Sequence, residues 1–212
     1  MKSQRKGTQR AEAAEASKKA ILDAAEALFA EKGYEATSLQ EICDLAGVTR
    51  GLPNYFFGSK EALYRCVLER AMVRGQALVT FLREQVASPS ASAEEILRIA
   101  IGRLFDDFVA HPTFIRLTEW EALQGRYLGD LPLQVQVLHE ALQLLRENFG
   151  WQGDPEQFLI DLVALCWFPI AHTKTFLKAL GIDAHDPDFL ARYKQHVIAL
   201  LLKPAENHSG QE

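Results

Sequence analysis

The stretch that most restricts what this chain can fold into is residues 38–64, SLQEICDLAGVTRGLPNYFFGSKEALY. Ser38 followed by Glu41 is a capping box, and Leu39, Ile42, Cys43 and Ala46 recur at helical spacing to give one buried stripe. Gly47 ends that helix, because the residue just past a helix end favours positive φ, which glycine adopts without a Cβ penalty. Val48 is expected to reach back into the core, and Thr49 to cap a second short helix. Two helices joined by so tight a turn read as a helix-turn-helix, whose second helix enters the DNA major groove with its N-terminal residues on base edges. Here those residues are Arg50, Gly51, Asn54 and Tyr55. Arg can pair bidentately with guanine and Asn with adenine, Tyr can reach a phosphate or a thymine methyl, and Gly51 lets the backbone approach closely. The same helix pair also occurs as a plain packing unit in proteins that never touch DNA, so this segment alone leaves both readings open.

The remainder carries no sheet signal. Nearly every apolar run has the 3.6-residue period and is punctuated by Gly or Pro, so the fold class is all-α. An amphipathic helix over 17–32 is closed by Gly33, with Tyr34 packing behind it. A long helix runs from Lys60 to about Ala87 and forms the mechanical link to the following residues. The capping box Ser92–Glu95 opens a helix to about Ala110, His111-Pro112 restarts one through Leu123, QGRYLGDLP is a loop, and Pro132 opens a helix to about Phe149. Asp154-Pro155 and Asp186-Pro187 are strong start signals for the last two helices. Both are too apolar for surface helices, which fits burial in a monomer core or against a second copy. Pro169 frees the carbonyl of Leu165, so a kink is expected there.

The run from Ala46 to Tyr64 resembles the DNA-binding signature of the TetR family of transcriptional regulators, whose common form is close to A-G-V-S-K-G-T-L-Y-x-x-F-x-S-K-E-A-L. Ala46, Gly47, Val48, Gly51, Phe57, Ser59, Lys60, Glu61, Ala62 and Leu63 match, with Thr49 and Arg50 as near equivalents. Pro53 and Asn54 depart from it. Pro53 lacks the amide that would bond the Thr49 carbonyl, so the recognition helix is expected to start tightened or shifted by a residue. With Ile21 to Tyr34 leading in as the family's first helix, the resemblance covers about the first third of the chain. It implies a homodimer that binds a palindromic operator and is released by a small-molecule effector, more in the manner of a repressor than an activator. Phosphate contacts are then expected from Thr37, Ser38 and Thr49 at helix starts and from Lys60. The implied effector pocket has Phe105, Phe108, Trp120, Trp167 and His172 as candidate lining, although aromatic residues at this spacing also suit a plain core. The implied dimer interface draws on Phe158, Leu162, Leu165, Phe176, Tyr193, Val197 and Leu200 of the last two helices.

The resulting division is a basic, disordered arm over 1–16, a helix-turn-helix domain over 17–64, an effector-binding and dimerisation domain over 65–203, and a disordered tail over 204–212. The net charge of −5 is no obstacle to DNA binding, because acidic and basic residues balance through Tyr64 and the excess acid lies beyond it. Lys2, Arg5, Lys6 and Arg10 stand unopposed in the arm, where they could track phosphates or simply solubilise it. The cysteines, Cys43, Cys66 and Cys166, lack CxxC spacing and fit buried inert thiols in a reduced, cytoplasmic protein without a membrane span. The six histidines show no metal-binding spacing, there is no nucleophile elbow or phosphate-cradling loop, and Glu119, Glu121 and Glu140 read as solvated helix faces. No enzyme activity, cofactor or metal is expected.

Overall fold

The computed structural model describes residues 2–88, 91–124, 132–149 and 154–203, and every regular element among them is helical. In chain order these are α1 (Lys2–Ala36), α2 (Leu39–Ala46), α3 (Leu52–Phe57), α4 (Lys60–Ala87), α5 (Ala93–Ala110), α6 (Pro112–Leu123), α7 (Pro132–Asn148), α8 (Pro155–Ala171) and α9 (Pro187–Leu201). A π-helical turn, Thr173–Leu177, lies between the last two. The start signals act as expected: Ser38 and Ser92 close reciprocal capping boxes with Glu41 and Glu95, and the Asp154 and Asp186 carboxylates accept first-turn amides ahead of Pro155 and Pro187. The expected tail over 204–212 and most of the loop over 124–132 lie outside the described residues.

Two compact units emerge. The first holds residues up to Met72 together with the second half of α6 from Arg116, and the second holds Val73–Ile115 and the chain after the α6 loop. Thus α4 and α6 each contribute residues to both units, whereas the sequence reading puts the boundary between the two helical domains after Tyr64. Helix α1 includes residues of the arm expected over 1–16, where the run AEAAEA is made of strong helix formers. Ser17 does not cap a helix there; its hydroxyl donates back to the Ala13 carbonyl at 2.9 Å.

In the first unit α1 packs on α2 and α3. Ile21, Ala25, Phe29, Ile42, Leu63 and Val67 have no exposed surface. The chain breaks at Gly33, with φ 79° and ψ 173°, a backbone conformation open to glycine. A Cβ at that position would lie 3.1 Å from the Trp120 ring of α6, so the close approach requires glycine as well.

In the second unit α5 packs on α8 and α9, and α7 packs on α8. Its core runs from Leu82 and Ile96 through Phe105, Phe108 and Ile115 to Cys166 and Val197. Pro169, where a kink is expected, lies inside α8, which ends two residues later at Ala171 and is followed by the π-helical turn. The Leu165 carbonyl that Pro169 cannot serve accepts the Tyr193 hydroxyl of α9 at 3.1 Å, and burial pushes the Tyr193 phenol above its ordinary range, keeping the donated proton in place. Burial likewise raises all three cysteine thiols, Cys166 to about 12.

Tyr193→Phe should lower stability by about 1–2 kcal/mol, the cost of a half-buried carbonyl left without its donor. Urea denaturation is the measurement, and a variant as stable as wild type would show that the carbonyl finds another partner.

Candidate nucleic-acid interface

Gly47 turns the chain at φ 67° and ψ 32°, and Val48 donates its amide to the Cys43 carbonyl at 3.0 Å, closing the turn between α2 and α3. Thr49 does not cap α3. The helix starts at Leu52 with Gly51 at the cap position and no side-chain bond there. The cause is Pro53, which has no amide to offer the Thr49 carbonyl. Leu52 donates to that carbonyl instead at 3.1 Å, and the start of the helix is tightened.

Pro53 also sets which way the helix faces. It is fully buried, Leu52, Phe56 and Phe57 are half-buried, and Arg50, Gly51, Asn54 and Tyr55 are exposed. Tyr55 is 79% exposed, an unusual state for a large ring, with only its edge-on neighbour Phe56 at 5.1 Å between centroids. Of the base-reading candidates, Asn54 and Tyr55 are therefore exposed on α3 itself, while Arg50 lies in the turn before it and Gly51 at its cap position.

The proposed phosphate residues separate. Ser38 and Thr49 are exposed, and Lys60 is half-buried at the first position of α4, where the Ser59 hydroxyl accepts the Ala62 amide at 3.0 Å. Thr37 is removed from the set: it is 1% exposed and its hydroxyl donates inward to the Gly33 carbonyl at 2.8 Å. It braces the break in α1 and faces no solvent. The Lys60 ammonium lies 4.3 Å from the centre of the Tyr34 ring. The frame beneath is fixed by charge as well as packing. Arg70 of α4 bonds Asp23 at 2.6 Å and also Glu26, both on α1, and Lys32 pairs with Glu41.

Glu121 was not legible as part of this unit. Expected as a solvated carboxylate, it is 6% exposed and accepts the Tyr64 hydroxyl at 2.6 Å. The signal is its spacing of one helical turn from Leu117, which is fully buried. Glu140 is also half-buried, paired with Arg83.

The pocket and interface candidates are redistributed in the same way. Phe108 and Trp167 meet edge-on at 5.7 Å, both beside Phe114, and Phe105 lies 6.0 Å from Tyr193. His172 neighbours Phe168 at 4.5 Å, at the start of the π-helical turn. Trp120 does not belong with them; it packs in the first unit against Gly33. Of the interface candidates, Phe158, Leu162 and Val197 are buried in this chain's own core and so cannot present an apolar face to a second copy, whereas Leu165 and Tyr193 are half-buried beside that core. Phe176 and Leu200 remain exposed, and the outward positions of α8 are instead Ile160, Ala164 and Phe168, four residues apart. The core needed one face of α8, and that face contains positions 158, 162, 166 and 170.

Among the described residues, no group of three or more His, Cys, Asp or Glu could hold a metal ion, and no helix is long and apolar enough to cross a membrane.

Residues 21–67 match the family model described as bacterial regulatory proteins, tetR family, and residues 94–201 match the tetracyclin repressor-like C-terminal domain. The HTH-type transcriptional regulator RutR of Escherichia coli is 32% identical over 206 residues, covering 92% of each chain. The HTH-type transcriptional repressor NicS of Pseudomonas putida is 27% identical over 209 residues, covering 94% of this chain and 97% of that one. A solved TetR-like transcriptional regulator from a Rhodococcus species has the same fold, with a TM-score of 0.64 at 19% identity over 87% of this chain and 93% of that one.

The capping box that starts α2 carries a pH signature. The Lys32 ammonium, with the Ser38 amide and hydroxyl, holds the Glu41 carboxyl down from its ordinary 4.5 to about 2. A depressed carboxyl stabilises the fold above its unfolded value and loses that contribution as pH falls through the folded value. Glu41→Gln should therefore be less stable than wild type at pH 7, with the gap closing between about pH 4.5 and pH 2. Thermal melts across that range check it, and a gap that stays constant would remove Glu41 ionisation as its cause.

Proposed function

Because the chain belongs to the tetR family of bacterial regulatory proteins and is a DNA-binding transcriptional regulator, we propose that it acts as a homodimeric repressor of a palindromic operator, released by a small-molecule effector. The observation that carries this reading is the outward face of α3. Asn54 and Tyr55 are exposed on a helix whose other side is anchored by the buried Pro53, and Arg50 is exposed in the turn that leads into it. Arg50 is assigned to a guanine edge, Asn54 to an adenine edge, Tyr55 to a thymine methyl or a phosphate, and Gly51 to close backbone approach. Ser38, Thr49 and Lys60 take phosphates.

The dimer reading is supported by apolar surface left uncovered. Ile160 and Phe168 of α8, Phe176 and Leu180 after it, and Leu200 of α9 are between 44% and 65% exposed, and Phe168 packs edge-on to Phe176 at 5.3 Å. Apolar side chains exposed to this extent fit a partner surface. A two-fold dimer suits a palindromic operator, whose half-sites lie about 34 Å apart, one turn of DNA. The reader then comprises residues 17–64 with the neighbouring residues of its unit, and the region over 65–203 holds the effector and dimer sites. The ring cluster of Phe105, Phe108 and Trp167 beside Pro169, with His172, is the place proposed for the effector. The likeness to the NicS repressor supports repression as the mode, and a cytoplasmic location follows from that role.

Release works by population shift. An effector that binds better to a dimer conformation with the wrong reader spacing draws the population to it, through α4 and α6, which each belong to both units. Operator DNA must then weaken effector binding by the same factor.

Selection of bound duplexes from a random pool by the purified protein should enrich an inverted repeat, and a folded dimer that enriches nothing would count against operator reading. Arg50→Ala should flatten the preference at one base pair per half-site, worth about 1–3 kcal/mol of discrimination. Phe168→Glu combined with Leu200→Glu should give a folded monomer by light scattering, with operator affinity down by on the order of 100-fold as the avidity of paired readers is lost. A persistent dimer would move the interface elsewhere.

A further inference from the structure

We propose that Tyr34 is a positioning residue for DNA binding: its ring is the platform that holds the Lys60 ammonium where a backbone phosphate meets it. The inference rests on the reading of Lys60 as a phosphate contact. Lys60 Nζ lies 4.3 Å from the centre of the Tyr34 ring, well within the range in which a ring attracts a cation. A lysine head carries three donors on a flexible stem, so a ring can restrain it on one side while N–H groups remain for a phosphate oxygen on another. A cation restrained before DNA arrives loses less conformational freedom on binding than a mobile one.

The platform is itself immobilised. Tyr34 stacks on Phe29 at 5.9 Å and lies tilted against Tyr64 at 5.0 Å, and both of those rings are buried. The Tyr64 hydroxyl donates to the buried Glu121 carboxylate at 2.6 Å. Gly33, directly before Tyr34, turns the chain under the Trp120 ring. Two residues of α6 therefore pin the ring that carries the cation, one through Tyr64 and one through Gly33. Within the first unit this makes α6 part of the phosphate-binding apparatus without itself touching DNA.

The test uses the full-length protein and a random-sequence 30-base-pair duplex, since a phosphate contact needs no particular sequence, with affinity read by fluorescence anisotropy over a salt series. Lys60→Ala should lower the slope of log affinity against log salt by about one unit. Tyr34→Leu should weaken binding by about three- to tenfold at unaltered slope, because the charge remains and only its ordering is lost. Tyr34→Phe, which keeps the ring, should bind like wild type. In the Lys60→Ala background the change at Tyr34 should have no further effect. Circular dichroism establishes folding of each variant, and if Tyr34→Leu fails to fold, electron-poor 4-cyanophenylalanine at this position keeps the packing and should weaken binding in the same Lys60-dependent way. The platform is overturned by wild-type affinity in the ring-altered protein, by an equal loss in the Lys60→Ala background, or by Tyr34→Phe binding as weakly as Tyr34→Leu. An unchanged slope and affinity in Lys60→Ala overturns both the phosphate contact and the platform, whereas a lowered slope there with an inert Tyr34 overturns the platform alone.

Discussion

The break in α1 at Gly33 is the constraint on which the DNA-binding unit is built. With φ at 79° the chain leaves the helix abruptly, and everything after it is placed by that departure. Thr37 uses its hydroxyl to tie the new direction back to the Gly33 carbonyl, Ser38 starts α2, and Tyr34 is set against Phe29 and Tyr64. The absent Cβ admits the Trp120 ring from α6, a residue almost ninety positions away. One missing methyl thus connects a local backbone requirement to the packing of a distant helix.

Two prolines impose a second kind of constraint, since each withdraws an amide that a carbonyl four residues earlier would have used. The two deficits are met differently. At Pro53 the chain solves the problem locally, with Leu52 donating to Thr49 and the helix start tightening, and the result decides which side chains of α3 face outward. At Pro169 the solution is long-range: the Tyr193 hydroxyl of α9 serves the Leu165 carbonyl and so couples the last two helices by a directional bond as well as by packing. The π-helical turn at Thr173–Leu177 follows the end of α8.

Much of the fold was legible in the sequence because the signals are local. Capping boxes, Asp-Pro starts, the Gly47 turn and the apolar period all act within about one helical turn, and the helix bounds follow them closely. The misreadings share one cause. Thr37, Glu121, Phe158, Leu162 and Val197 were assigned to outward roles from residue type and position along the chain, yet which face of a helix is covered depends on what packs against it. Glu121 is polar but lies one turn from Leu117 on the covered face. Thr37 is a capping residue type at a helix start, but its hydroxyl has a nearer partner in the α1 carbonyl.

By itself, then, the sequence determined the helices, their ends, the helix-turn-helix and the residues available to read bases, since hydrogen-bond capping and backbone φ preference are set by a few neighbouring residues. Only the tertiary structure decided which residues those helices share: that α6 divides between the two units, that Trp120 and Glu121 support the reader, that Tyr34 lies under Lys60, and that Ile160 and Phe168 face outward where Phe158 and Leu162 face in. The reason is physical. Burial and side-chain partnership are properties of two surfaces meeting, and the residues that meet here are separated by tens of positions along the chain, beyond the reach of any local pattern.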